Sequence, residues 1–419
     1  MVLMRLGCSL KMEEKAVDEG AREVKAASSF GVSIFSFFVF FFLLKPDVNR
    51  GLALFGLDNP VPVMAWKTAL VLVSCACVVL FLLRRRSDML FMATAACVAW
   101  VTVVTLVNGG GLGRILEDWF PLLAVVSLVG AFARSNWLEL VRAMFAASMS
   151  YLILNLVGIV LSGQIGFQTQ VFLFFGIRTA TFKVAIPAIA CAFLLDAARG
   201  KRISVLSVSA CLISLVEVYI GYCATTLVVI VMLIVLRVIC EFVKMREVLN
   251  IFTYAATDIL VFFGVVVLRI QSFFSWFIEG ILRRSVTLSG RTSVWDAVFA
   301  LLNDWHLAVG YGASYIWSSV NVNGMTYMHA HNDILNILMT GGIVLVVLVA
   351  MVFLSAALQL YRNRGSVLSS ILAAALFCFM VIGLFEITNC VGSFFLLAVS
   401  RDAGIALRRE DGACSILAS

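Results

Sequence analysis

The run GGIVLVVLVAMVFLSAA, from Gly341 to Ala357, contains no charged side chain. Apolar runs of about 17 to 25 residues recur from Ser29 towards the C-terminus, which is the helix length that a bilayer core of roughly 30 Å requires. The chain has 419 residues, of which 62% are hydrophobic and 13% are charged, and its mean hydropathy is +1.05. This composition excludes an ordinary soluble domain and predicts a polytopic membrane protein.

We predict an all-α fold with about twelve transmembrane helices. The predicted centres lie near residues 37, 73, 98, 127, 149, 188, 211, 234, 259, 344, 376 and 396. This pattern divides the chain into an N-terminal tail (1–28), nine helices (29–268), a long polar loop (269–331), three helices (332–406) and a C-terminal tail (407–419).

Basic residues occur in alternate loops, as in Arg84-Arg85-Arg86, 199–202 and 244–246. Short cytoplasmic loops retain Lys and Arg, so these loops and both termini are predicted to be cytoplasmic. The loop 269–331 is then external. The formal net charge of +7 reflects this asymmetry and does not indicate nucleic-acid binding.

The long loop contains two aromatic amphipathic stretches, Phe273–Leu282 and Val294–Trp305, which predict short helices lying at the membrane interface. Four tryptophans fit an interfacial aromatic belt. They are Trp276, Trp295, Trp305 and Trp317. Most of the eleven cysteines fall in apolar runs, and no Cys/His cluster has metal-ligand spacing, so neither a metal site nor a cofactor is predicted.

The polar residues of this loop indicate chemistry on an anionic substrate. Arg291 lies in LSGRTSVW (288–295), and His331 lies in HAHNDILN (329–336), just before a membrane span. An arginine stays charged and binds phosphate oxygens bidentately. A histidine, with an ordinary pKa of about 6.5, can accept a proton from a sugar hydroxyl near neutral pH.

Two further cations precede or begin the sixth predicted span, namely Arg178 and Lys183. A cation at the bilayer centre costs about 2.5 to 3.5 kcal/mol, less near the surface, so a wet, anion-accepting cavity is one interpretation. Snorkelling to the interface is the alternative for Lys183. Glu217 and Glu386 lie near outer ends of spans, where they could orient a cation or bind a sugar, and Asp258 falls inside a span.

Three segments together resemble the O-antigen ligase and Wzy-type polysaccharide polymerase superfamily. They are SGRTSVW (289–295), the Gly310-Tyr-Gly312 turn and HNDILNILMTGGI (331–343). The resemblance implies a GT-C-like membrane fold in the bacterial inner membrane. It also implies metal-independent, inverting transfer of a glycan from an undecaprenyl-diphosphate carrier to an acceptor sugar hydroxyl on the outer face.

The resemblance further implies roles for individual residues. Arg291 and Arg178 would hold the diphosphate, and His331 would activate the acceptor. Substrate-binding candidates complete the set, namely Lys183, Asn332, His329, Arg284 and Glu386. The implied partners are the carrier-linked glycan, an acceptor glycan or glycolipid and the membrane, with a chain-length regulator or flippase as further candidates.

The sequence leaves three classes of function open: a glycan transferase, which could be a polymerase or a ligase, a transporter, and a glycan-binding protein without catalysis. We favour a polymerase, whose acceptor is a second carrier-linked glycan, over a ligase, whose acceptor is lipid A core or another terminal acceptor. A lipid-glycan transporter or flippase would also suit twelve spans and an intramembrane Asp258. The third class is a sensor or scaffold whose external loop binds a glycan without chemistry.

Overall fold

The computed structural model describes residues 29–44, 60–84, 88–161, 171–172, 176–276, 290–302, 304–314, 321–322, 325–326 and 329–401. These residues are almost entirely helical. The first nine helices are α1 (Ser29–Leu43), α2 (Pro60–Leu83), α3 (Met89–Val107), α4 (Phe120–Leu161), α5 (Phe182–Ala198), α6 (Val205–Ile220), α7 (Ala224–Ile239), α8 (Val243–Val248) and α9 (Ile251–Phe262). The last five are α10 (Arg291–Leu301), α11 (Asp304–Val309), α12 (Asp333–Arg362), α13 (Val367–Gly383) and α14 (Val391–Arg401).

Shorter elements connect these helices. A π-helical turn, Ile115–Trp119, leads into α4, and another, Phe263–Val267, extends α9. Turns of 3-10 helix cover Arg178–Thr181 and Ile270–Phe274. Two antiparallel ladders consist of two-residue strands: β1 (Val171–Phe172) pairs with β2 (Gly176–Ile177), and β3 (Asn321–Val322) pairs with β4 (Met325–Thr326).

The structure confirms a helical membrane protein. Among the described residues, five helices are long and apolar enough to cross a membrane, and six further apolar helices are 10–17 residues long. Each of the twelve predicted centres lies within one of these helices. The centres near 127 and 149 share one 47-residue helical run, Ile115–Leu161, which is broken by the non-helical backbone of Asn136.

Helix α5 forms the middle of the bundle, where it packs against α4, α6 and α13. The stretch Ala188–Ala192 contains three alanines and a cysteine, whose small side chains let neighbouring helices approach closely. All of α5 from Phe182 to Asp196 is buried except Lys183, which is exposed. This exception matters for the site described below.

A break in α12 organises the end of the molecule that contains the loop 290–331. The backbone leaves the helical conformation at Gly341 and Gly342, and the latter has φ +64° and ψ −164°, a conformation essentially restricted to glycine. The break leaves carbonyl groups that the Gly310–Gly312 turn uses: the amide of Tyr311 donates to Met339 O at 2.7 Å, and that of Gly312 donates to Thr340 O at 3.0 Å.

The two glycine motifs therefore meet in space. A Cβ on Gly310 would lie 2.5 Å from Gly341 N, and one on Gly342 would lie 2.2 Å from Ala308 C. Trp100 of α3 also donates from Nε1 to Gly341 O at 2.8 Å. The Gly-Tyr-Gly turn and the Gly-Gly pair thus form a scaffold that attaches α11 and the following loop to α12.

The prediction of an interfacial tryptophan belt is wrong for Trp295. Trp276 and Trp305 are exposed, whereas Trp295 is completely buried, and Trp317 lies outside the described residues. Trp295 belongs to a second apolar cluster beneath the loop, formed with residues such as Val266 and Leu335, and the Arg269 guanidinium lies 5.0 Å from its ring. The reason is that α10 packs against α12 and directs this face inward.

The predicted loop helices are confirmed in part. The stretch Val294–Trp305 lies in α10 and the first turn of α11, which are separated at Leu302 and do not form one helix. The stretch Phe273–Leu282 contains the end of a 3-10 turn, and its residues beyond 276 lie outside the described residues.

Candidate active site

The segment His329–Asp333 enters α12 through an unusual backbone. His331 has φ +49°, a left-handed conformation that is uncommon for a residue with a side chain and costs of order 1 kcal/mol or more. The next residue, Asn332, is the N-cap of α12: its Oδ1 accepts from Leu335 N at 3.0 Å. The cap fixes where the helix begins, and His331 therefore projects from a defined position just outside it.

Asn332 and Asp333 also fix the loop between α13 and α14. Asn332 Nδ2 donates to Leu384 O at 3.2 Å, and Asp333 accepts from Thr388 N at 3.1 Å and from Thr388 Oγ1 at 2.7 Å. Glu386 lies between these two anchored points. Because the Asn332 side chain is fully buried, we interpret Asn332 as a residue that positions Glu386 and not as a substrate contact.

Glu386 joins two candidates that are distant in sequence. Its Oε1 accepts from Arg291 Nη2 at 3.0 Å, and its Oε2 lies 3.7 Å from His331 Nδ1. The three side chains are partly buried, with exposed fractions of 23% for Arg291, 26% for His331 and 12% for Glu386. Partial burial strengthens their electrostatic interactions while leaving room for a substrate.

Glu386 remains ionised in this arrangement. Burial alone would raise the pKa of its carboxyl, but its interaction with His331 and the charges of His329 and Arg291 lower that pKa below its usual range. The ionised carboxylate lies beside Nδ1 of His331, where it can orient the ring.

His329 differs from His331 in its electrostatic environment. Burial, followed by the charge of His331, lowers the pKa of His329 from 6.5 to about 4, although Glu386 opposes this shift. Its Nδ1 accepts from the backbone N–H of His331 at 3.2 Å, so a proton added there would face another donor. This low pKa makes His329 a weak proton acceptor, and its Nδ1 already accepts a hydrogen bond, so we interpret His329 as a structural neighbour of His331 and not as the base.

This difference predicts a pH-dependent stability. Below the unfolded pKa of about 6.5 an unfolded chain binds a proton at His329, whereas the folded chain does so only near pH 4. Stability is thus lost as the pH falls from about 6.5 to about 4. The apparent Tm of the wild type should therefore fall over this window. We expect the fall to be roughly 2 to 4 °C smaller for His329→Gln, as measured by thermal unfolding in detergent. An unchanged pH dependence would contradict the assignment.

Arg291 combines a charged side chain with a helix N-terminus. It is the first residue of α10, directly after Gly290, whose φ of +86° allows the chain to turn into the helix. Its Nε is buried and has no hydrogen-bond partner among the described residues, and its guanidinium lies 5.8 Å from the centre of the Phe385 ring. An unused donor beside the N-terminal amides of a helix is suited to an anion.

His329, His331 and Glu386 also have the composition of a metal site. One potential ligand atom from each lies within 4.8 Å of the others. However, Arg291 already occupies one oxygen of Glu386, and both Arg291 and Lys183 place positive charge near His329. These charges oppose a divalent cation and suit an anion, which is the chemistry predicted from the sequence.

Comparisons with protein-family models, curated proteins and solved structures find no match to this chain. The function is therefore inferred from the residues of the site itself. Of the eight candidate residues, the structure brings together Arg291, His329, His331, Asn332 and Glu386. The backbone of Arg178 begins the 3-10 turn before α5, but its side chain lies outside the description, as does all of Arg284.

Lys183 is the sixth candidate with a described position. It lines a cavity of about 610 Å³ between the ends of α1, α5 and α12, and its charge contributes to lowering the pKa of His329. An exposed lysine on an otherwise buried helix faces this cavity, which supports the cavity interpretation over snorkelling into lipid. Arg291, His331 and Glu386 do not line the cavity, so it adjoins the triad without containing it.

Glu217 does not join this site. Glu217 is fully buried, and one of its oxygens accepts from Asn155 Nδ2 at 3.2 Å, as expected for a structural acid within the bundle. The sequence interpretation did not single out Glu117 and Asp118, which line the cavity. The available signal was their position beside Arg114 and Trp119 at the start of a span in a predicted external loop.

Proposed function

We propose that this protein is a membrane glycosyltransferase that transfers a glycan from a lipid diphosphate carrier to an acceptor sugar hydroxyl. The observation that carries this proposal is the contact of Glu386 with both Arg291 and His331, which brings an anion-binding group and a titratable base together. The sequence resemblance to polysaccharide polymerases and ligases is consistent with it. The reaction would take place at the outer face of a bacterial inner membrane.

Arg291 supplies the binding of the leaving group. Its Nη2 contacts Glu386, while its buried Nε retains a donor for a phosphate oxygen. The N-terminal amides of α10 add a partial positive charge. We propose that Arg291, Lys183 and Arg178 hold the diphosphate and stabilise the charge that develops as it leaves.

His331 supplies the base. Its Nε2 removes the proton from the acceptor hydroxyl as that oxygen attacks the anomeric carbon, and the bond between this carbon and the phosphate oxygen breaks. The electron pair of that bond leaves with the diphosphate. Glu386 stabilises the imidazolium that forms, in the way that a carboxylate orients a catalytic histidine in other enzymes. No step of this mechanism requires a metal ion.

The proposal is tested by comparing the glycan chain lengths of two bacterial strains that lack the native protein. One strain carries wild type and the other carries Arg291→Ala, at equal membrane levels. We expect single carrier-linked repeat units to accumulate with Arg291→Ala, because the diphosphate loses a cationic hydrogen-bond donor. Arg142→Ala is the matched control, since this half-exposed arginine pairs with Glu139 and lies outside the site.

The pattern of glycans separates the alternatives. Short chains with Arg291→Ala and long chains with wild type support a polymerase, which we favour. Long chains that form normally but stay on the carrier indicate a ligase. If Arg291→Ala behaves as wild type, the assignment of glycosyl transfer to this site is wrong, and a lipid-glycan transporter becomes the better interpretation.

A further inference from the structure

The cavity beside Lys183 has the size and position of a second ligand site. Its volume of about 610 Å³ falls within the range of roughly 300 to 1,000 Å³ that small-molecule sites occupy. Its walls come from the end of α1, the turn before α4, the start of α5, the loop after α11, the first turns of α12 and the loop before α14. It adjoins the proposed catalytic residues through that last loop, which also contains Glu386.

One wall carries two carboxylates that neighbouring cations neutralise. Glu117 Oε1 lies 2.8 Å from Lys67 Nζ, and Asp118 Oδ2 lies 3.7 Å from Arg114 Nη1. Both acids belong to the π-helical turn Ile115–Trp119, whose geometry widens the helix and is often found at functional sites. A paired carboxylate still has lone pairs, so it can accept hydrogen bonds from hydroxyl groups without attracting a metal ion.

The opposite walls carry amides. Asn336 lies on α12 together with Met339 and Thr340, which face the same cavity, and Asn389 lies in the loop before α14. The Nδ2 atom of Asn389 is buried and has no hydrogen-bond partner among the residues described. Leaving a buried donor without a partner is unfavourable, and a ligand oxygen would remove this cost.

Lys183 adds one cation. It has no salt-bridge partner among the residues that the structure describes, and it is the only exposed residue between Phe182 and Asp196 of α5. An ammonium group held at the edge of such a cavity favours an anionic group of a bound ligand.

We propose that this cavity binds a saccharide unit of the transferred or accepting glycan. Carboxylates and amides facing one another are the combination that a polyhydroxylated ligand requires, because each hydroxyl both donates and accepts. Lys183 would contact an acidic group next to this saccharide. A purely apolar ligand such as a lipid chain does not fit, since it would leave the charged and amide groups without hydrogen bonds.

This inference rests on the proposed function, and its test measures binding apart from transfer. The probe is the free oligosaccharide released by mild acid from the lipid-linked glycans of the producing cell. Its affinity for the purified protein in detergent is measured by calorimetry for wild type, Asn389→Ala, Asp118→Asn and the control Glu139→Gln, which changes an acid outside the cavity. We expect about tenfold weaker binding for each cavity variant and no change for the control.

Kinetics then identify which glycan occupies the cavity. An increase in KM for the acceptor alone assigns the cavity to the acceptor, and an increase for the donor alone assigns it to the carrier-linked glycan. Equal apparent Tm values for the variants and wild type show that lost binding is not lost folding.

The inference is overturned if the cavity variants bind the oligosaccharide as wild type does, or if wild type does not bind it. A different result would contradict the proposed function. If wild type binds the saccharide through these residues but His331→Ala transfers glycan at the normal rate, then the cavity assignment stands and the catalytic assignment is wrong.

Discussion

Replacing His331 with alanine is expected to reduce the rate of glycan transfer by about 10² to 10⁴, the usual contribution of general base catalysis. The physical reason is that, in the proposed mechanism, Nε2 of His331 accepts the proton, while Nδ1 lies 3.7 Å from the Glu386 carboxylate that would stabilise the charged ring. The loss should appear in kcat, with little change in KM for the carrier-linked donor. It is measured with purified enzyme, extracted lipid-linked glycan and a defined acceptor.

The chain offers a matched control for this experiment. It contains three histidines, and His306 lies in α11 with its ring stacked on Tyr311 at 3.9 Å between centroids. His306→Ala should therefore transfer glycan at nearly the wild-type rate. Added imidazole should partly restore His331→Ala if the missing group is a base. A wild-type rate for His331→Ala would show that the base is another group.

The second large effect concerns stability and comes from the break in α12. Gly342→Ala is expected to destabilise the folded protein by about 3 kcal/mol or more, through a backbone conformation unfavourable for alanine together with overpacking. The added Cβ would lie 2.2 Å from both Ala308 C and Ala308 O, and backbone atoms cannot move aside as a flexible side chain can. The expected observation is a large fall in the apparent Tm in detergent, with reduced membrane levels.

Two glycines separate the contributions to this effect. Gly365→Ala meets nothing within 4 Å and has no positive φ, so it should leave the apparent Tm nearly unchanged. Gly109→Ala also meets nothing within 4 Å but has φ +71°, so it should cost only about 1 kcal/mol of conformational strain. If Gly342→Ala were no worse than Gly109→Ala, the close packing of α11 on α12 would not be required.

The fold class was predictable because the local composition of a segment is enough to indicate a transmembrane helix. A run without charges, such as 343–357, favours a helix in lipid, since the backbone must there satisfy its hydrogen bonds internally. The positions of the helices followed from the same signal. The burial of Trp295 did not, because the loop was interpreted as a surface lying on the membrane, whereas α10 packs inward against α12.

The candidate site was predictable as a set of residue types and not as an arrangement. Arg291 and His331 could be selected since an anion-binding arginine and a base lie in one polar loop. The pairing of Glu386 with both of them could not, because residues 291, 331 and 386 are separated by long segments whose packing no local pattern specifies.

The sequence by itself determined that this protein is helical, that it is apolar enough for a membrane and that its polar candidate residues concentrate in one long loop, since each of these properties depends on local composition. The tertiary structure decided which residues meet: Asn332 and Asp333 anchor the loop that presents Glu386, and the exposed Lys183 faces a cavity and not lipid. These contacts depend on the relative placement of α5, α10, α12 and α13. Helix packing fixes that placement through side-chain shape over the whole bundle, which a local sequence pattern does not contain.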